Sequence, residues 1–177
     1  MTICVYCGSS NGWDPSVLEV AREFGQKLAR QDIGLVYGGS SLGVMGTLAN
    51  AVMENGGRVT GVIPKDLFSK EVAHTGITSL ITVADMHERK QTMANRADAF
   101  VALPGGFGTM EELFEIITWN QIGIIQKPVT LLNWNGFYDP LLAMIQQASD
   151  AGFIRETNID ILQTAETVDE CIEMSLV

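Results

Sequence analysis

The sequence predicts an α/β fold: a single-domain, Rossmann-like, doubly wound parallel sheet over residues 1–177, with helices on both faces. Three observations predict it. Short β-rich runs alternate with longer stretches of helical period from one end to the other. The strand runs are continuously apolar rather than alternating, which is the pattern of strands covered on both sides. The 177 residues, 46% hydrophobic and 18% charged, suffice for one sizeable core and leave no polar stretch long enough to be a linker.

The elements follow in order. Ile3 to Cys7 reads as the first strand. A Gly8-Ser9-Ser10-Asn11-Gly12 turn leads into a helix whose apolar residues Val17, Val20, Ala21, Phe24 and Leu28 fall on one face. Gly34 to Tyr37 is the second strand, and the chain then passes through Gly38-Gly39-Ser40-Ser41-Leu42-Gly43 into a helix stopped by Asn55-Gly56-Gly57. Arg58 to Ile63 is the third strand, closed by Pro64. The stretch from Lys65 to Val83 is harder to read, with an apolar run from Ile77 to Val83 that fits a further strand. A helix from Met86 to about Ala97, a buried strand from Ala99 to Leu103 and a helix from Met110 to about Ile122 come next. Pro128 to Leu132, a helix around Leu141 to Ala148, and a strand and helix after Asp160 complete the alternation. In such sheets ligands bind beyond the carboxyl ends of the strands, so the glycine-rich turns are where function is to be sought.

Composition excludes several classes. Eleven basic against 21 acidic residues give a net charge of -10, which repels polyanions and anionic membranes and leaves room only for a local anion site. No apolar run approaches the ~18 residues that span a bilayer, and the N-terminus has no leader pattern, so a soluble cytoplasmic protein is expected. Three cysteines imply no disulfide framework. Cys4 and Cys7 form a C-x-x-C inside a strand, where residues three apart point to opposite faces, so neither metal nor redox chemistry is expected of them.

The strongest local signal is Leu103-Pro104-Gly105-Gly106-Phe107-Gly108-Thr109-Met110-Glu111-Glu112, which joins a buried strand to a helix. Its glycines let the backbone approach a ligand closely, and a helix N-terminus favours an anion such as phosphate. Thr109 with Glu112 three residues on also reads as a capping box that needs no ligand. The segment is neither a dinucleotide fingerprint nor a P-loop. A second cluster, Met86-His87-Glu88-Arg89-Lys90 with Arg96, puts three of eleven basic residues on one helix, either as an anion site or as a solvated face. Gly39-Ser40-Ser41-Leu42-Gly43 matches G-x-S-x-G. As a serine nucleophile Ser41 would need His74 or His87, and the reading as a second glycine turn through Gly39 and Ser40 competes with it.

Pro104 to Glu112 fits P-G-G-x-G-T-x-x-E, and Met86 to Lys90 fits M-H-x-R-K. Together with Tyr37-Gly38-Gly39-Ser40 and Thr118-Trp119-x-Gln121-x-Gly123, they resemble the LONELY GUY (LOG) family of cytokinin riboside 5'-monophosphate phosphoribohydrolases over almost the whole chain. The resemblance implies hydrolysis of the N-glycosidic bond of a cytokinin riboside 5'-monophosphate or AMP, with no cofactor and no metal. It implies catalytic roles for Arg89 and Glu112. It also implies substrate contacts from Glu71, Arg89, Lys90, Gly105, Gly106, Phe107, Gly108, Thr109, Met110, Glu111, Glu112 and Thr118, and a homodimer. Thr118 lies six residues after Glu112, about 120° away on an ideal helix, so the resemblance leaves open that it serves a partner's pocket. Proteins of this kind have been labelled lysine decarboxylases, but nothing here resembles a pyridoxal-phosphate site and only five lysines exist. The competing expectations are a non-catalytic nucleotide or molybdenum-cofactor carrier and a serine esterase using Ser41.

Overall fold

The computed structural model describes residues 1–67 and 73–176. Seven strands form one sheet: β1 (Thr2–Tyr6), β2 (Gly34–Tyr37), β3 (Val59–Pro64), β4 (Ser79–Val83), β5 (Ala99–Ala102), β6 (Val129–Leu132) and β7 (Leu162–Ala165). Their order is β4-β3-β2-β1-β5-β6-β7, with every neighbouring pair parallel. The helices are α1 (Ser16–Arg30), α2 (Gly43–Glu54), α3 (Met86–Arg96), α4 (Phe107–Gln121), α5 (Asp139–Asp150) and α6 (Val168–Ser175). Among the described residues, no helix is long and apolar enough to cross a membrane.

The continuous apolar strands are buried on both sides as expected. Ile3, Val5 and Cys7 pack with α1, α2 and α6, whereas Cys4 and Tyr6 pack with α3 and α4 on the opposite face. The two cysteines of the C-x-x-C therefore point into different cores. Helix α1 presents Val20, Ala21, Phe24 and Leu28 to the first core and ends on Lys27 and Arg30, cations that suit the negative end of a helix. Asp85 caps α3 by accepting from the Glu88 amide at 2.9 Å, while Glu88 reaches back to the Ala84 amide at 2.6 Å. Thr167 and Glu170 repeat the device at α6.

Three boundaries differ from the sequence reading. Helix α4 starts at Phe107, three residues before Met110, because the Met110 amide already donates to the Gly106 carbonyl at 3.1 Å. Thr109 thus lies inside the first turn, and Gly106 stands at the N-cap, so the Thr109–Glu112 capping box is not formed. Within Lys65 to Val83, a short 3-10 turn covers Lys65–Leu67 and β4 begins at Ser79 on the sheet edge. Helix α5 extends from Asp139 to Asp150, with Pro140 in its first turn where a missing N–H costs nothing.

The chain adds β2, β3 and β4 on one side of β1, then returns to lay β5, β6 and β7 on the other. Helices leaving β1 and β5 go to opposite faces, so the sheet opens a crevice between the carboxyl ends of these two strands.

Candidate active site

Two turns meet in that crevice. Gly8 to Ser10 follows β1, and Pro104 to Gly106 follows β5. Tyr138 fixes the second turn by donating its hydroxyl to the Leu103 carbonyl at 2.7 Å. At Gly105 a side chain has no space: a Cβ would overlap the Thr109 hydroxyl and approach the Gly8 amide nitrogen to 3.0 Å. The glycine lets two backbones and a buried threonine close on one another at the mouth of α4.

A cavity of about 260 Å³ lies between these turns and the start of α3. Of the residues singled out in the sequence, Arg89, Gly106, Phe107, Gly108, Thr109, Glu111 and Glu112 line it. The first amides of α4 have no partner within a helix and face an incoming anion with the positive end of the helix dipole. Phe107 is almost fully exposed at the rim, whereas Arg89, Thr109 and Glu112 are buried.

The sheet holds the guanidinium. Nε of Arg89 donates to the Val62 carbonyl at 3.1 Å and Nη2 to the Gly38 carbonyl at 3.0 Å, so the ends of β2 and β3 orient it. Nη1 then stands 4.0 Å from Oε1 of Glu112, and both side chains are about nine-tenths buried. The arrangement places a guanidinium and a carboxylate, both largely shielded from bulk solvent, side by side in the cavity wall as fixed groups for a substrate to meet. Burial pushes the Cys7 thiol in the cavity wall well above its ordinary range, and the charge of Glu112 adds to it, so this cysteine is no nucleophile.

Several expected contacts lie elsewhere. Lys90 does not line the cavity: its ammonium donates to Glu111 at 2.5 Å and to Glu115 at 3.0 Å. Burial alone would depress the lysine, but these two bonds outweigh it and hold its pKa above the ordinary value. Met110 and Gly105 are absent from the cavity wall, although Gly105 lines a second, more apolar cavity of about 460 Å³ with Trp13, Trp134 and Phe137. Thr118 is exposed about three turns along α4 and donates to the Phe114 carbonyl at 2.7 Å. Glu71 lies outside the described residues.

Gly39 and Ser40 also stand off the cavity, which Gly38 reaches instead. Ser40 is fully buried, its carbonyl accepting from the Tyr37 hydroxyl at 3.1 Å. The helix after this turn is not an anion site, because its Val44 and Met45 amides donate to the Ser10 and Gly8 carbonyls at 3.4 and 3.1 Å. His74, one of the two histidines a Ser41 triad could use, is engaged with other groups: one ring nitrogen pairs with Asn50 at 3.0 Å and the other accepts from the Gly76 amide at 3.3 Å.

Sequence reasoning missed Gly8, Ser9, Ser10, Met45 and Met86, all in the cavity wall. The signal for the first three was present, since the turn after the first strand of a doubly wound sheet faces the crevice whatever its composition.

Geometry of this kind defines an α/β protein with a small-molecule cavity at the switch point of its parallel sheet. The chain belongs to the LOG family. Residues 45–174 match the sequence profile described as "Possible lysine decarboxylase". The chain is 51% identical over 170 residues to the cytokinin riboside 5'-monophosphate phosphoribohydrolase LOG of Oryza sativa, covering 96% of this chain and 70% of that protein. It is 50% identical to LOG7 of Arabidopsis thaliana, covering 96% of this chain and 78% of that one. Among solved structures, the molybdenum cofactor binding protein of Rippkaea orientalis superposes with a TM-score of 0.71 at 24% identity, over 98% of this chain and 93% of that chain, a likeness of fold. The decarboxylase wording finds no counterpart in the site, since no lysine among the described residues lines the cavity.

Proposed function

We propose that this protein is a phosphoribohydrolase, cleaving the N-glycosidic bond of an adenine-type nucleoside 5'-monophosphate, such as a cytokinin riboside 5'-monophosphate, to free base and ribose 5-phosphate. The observation that carries the reading is the buried Arg89–Glu112 pair, 4.0 Å apart, beside the N-terminus of α4. The names of relatives about half identical over nearly the whole chain support it.

The 5'-phosphate sits on the first amides of α4, from Gly106 to Thr109. That seat brings the ribose over Glu112, one turn further into the helix. As the C1'–N bond breaks, positive charge develops on C1' and O4', and the carboxylate stabilises it and orients the attacking water. The water oxygen bonds to C1', the bonding pair leaves with the base, and one proton of the water ends on the base. A guanidinium is a donor of hydrogen bonds and a poor proton donor, so the role of Arg89 is to hold charge. The decisive experiment incubates the purified protein with AMP and with N6-isopentenyl AMP and follows release of free base. Adenosine and the corresponding riboside are expected to react at least ~10²-fold more slowly in kcat/KM, because the α4 amides then have no anion to bind. Equal rates on nucleoside and nucleotide would remove the phosphate from α4.

The same reading includes a homodimer in the cytoplasm. Helix α5 packs on the core only through the half-buried Leu141 and Leu142 among its hydrophobic residues, and Ile122, Ile124, Met144 and Phe153 are exposed by half or more. A pair of copies covering these groups is the economical arrangement. Three buried free thiols, Cys4, Cys7 and Cys171, suit a reducing compartment. Light scattering on the eluted protein is expected to give twice the chain mass of 19.2 kDa; the mass of one chain would refute the dimer.

A further inference from the structure

Three charge pairs join α3 to α4: consecutive residues of α3, Arg89 and Lys90, meet Glu112 on one side and Glu111 with Glu115 on the other. Arg89 faces Glu112 at 4.0 Å, the outer limit of an ion pair, while Lys90 closes on Glu111 at 2.5 Å and on Glu115 at 3.0 Å. The two cations are held differently. Arg89 is fixed by the carbonyls of Gly38 and Val62, so its position belongs to the sheet, whereas Glu112 rides on α4. The separation between guanidinium and carboxylate therefore depends on where α4 stands relative to α3.

We infer that Lys90 is a positioning residue, whose ammonium clamps α4 to α3 through Glu111 and Glu115 and so sets the spacing of Arg89 and Glu112. The lysine side chain is 10% exposed and two of its three donors are committed to carboxylates on α4. Glu111 and Glu115 are one turn apart on that helix, so the ammonium grips it at two points and resists both sliding and rotation. Glu111 also lines the cavity, which places one end of the clamp in the wall of the site. A shift of α4 toward α3 would close the gap over which sugar and water must pass. A shift away would separate the two charges in the region where the reaction develops its own.

The inference rests on the phosphoribohydrolase reading and assigns to Lys90 a task other than touching substrate. Its test compares Lys90→Met, Lys90→Arg, Glu115→Gln and the Lys90→Met/Glu115→Gln double variant on AMP. Lys90→Met is expected to lower kcat at least ~10-fold with KM changed less than ~3-fold, since misplacement of the reacting groups is felt in the chemical step. Lys90→Arg should recover kcat to within ~3-fold of wild type, and the double variant should be no worse than Lys90→Met, because both changes cut one link. A lysine that binds substrate gives the opposite result: KM rises with kcat intact, and Glu115→Gln, whose side chain is outside the cavity wall, changes nothing. That result would overturn the clamp. A crystal structure of Lys90→Met decides the matter even if the wild type releases no base, an outcome that would sink the functional reading alone. The Arg89–Glu112 separation is expected to change by more than ~0.5 Å, the tolerance of a working site, and a separation that stays at 4.0 Å would refute the clamp.

Discussion

Glu112→Gln is expected to lower kcat for AMP by ~10²–10³ while the nucleotide still binds within a few-fold of wild type. The amide keeps the size of the carboxylate, so the cavity retains its shape and the α4 amides their grip on the phosphate. What is lost is a negative charge whose value is greatest when the sugar becomes cationic. Water screens such a charge at the surface, but Glu112 is only 8% exposed, and a charge so shielded from bulk solvent acts over several ångströms with less attenuation. The fold should survive, because the amide fills the volume of the carboxylate and Arg89 keeps its bonds to Val62 and Gly38. Base release by chromatography and AMP binding by calorimetry check both halves. Near-normal turnover would remove Glu112 from the chemistry. Tight binding by the wild type without any release of base would favour a carrier.

Much of the fold was legible because continuous apolar strands and one-sided helices each carry their own signature. Ile3, Val5 and Cys7 against Cys4 and Tyr6 show why: period two in a run with no polar member admits only burial on both faces. The start of α4 was misplaced because three glycines read as a turn by composition, yet Gly106 caps the helix and Gly108 continues it, held by strand β5 behind and buried Thr109 ahead. In the site, Arg89 and Glu112 were picked out by the resemblance of their two motifs to the LOG family, since composition alone left the basic cluster open as a solvated face. Lys90 did not separate from Arg89, since which of two adjacent cations faces the cavity depends on where α4 packs, a property of tertiary structure. Gly8 to Ser10 carry no charge and no unusual spacing. Their one signal is their place directly after the first strand, which the strand order, with β1 beside β5, turns into a cavity wall.

Gly38→Ala is expected to reduce kcat/KM on AMP by ~10² or more while leaving a folded protein, and it is the sharpest test that the sheet positions Arg89. Gly38 lines the cavity at the end of β2, and its carbonyl accepts from Arg89 Nη2 at 3.0 Å. A Cβ at this residue would overlap that same Nη2 outright and stand 2.9 Å from the Met45 sulfur and 3.2 Å from Arg89 Cζ. Backbone conformation is not the obstacle, since Gly38 is outside the left-handed region occupied by its neighbour Gly39 at φ 80°. The methyl group is accommodated by displacing the arginine, which then loses its carbonyl anchor and its place beside Glu112. Overpacking of this kind costs ~1–3 kcal/mol, so thermal unfolding should move by several degrees without collapse of the fold. If the damage passes through Arg89, the double variant Gly38→Ala/Arg89→Ala will be about as slow as Arg89→Ala alone, because an arginine already absent cannot be displaced. A double variant far slower than either single one would show that Gly38 acts on substrate directly, and a fully active Gly38→Ala would show that Arg89 tolerates being moved.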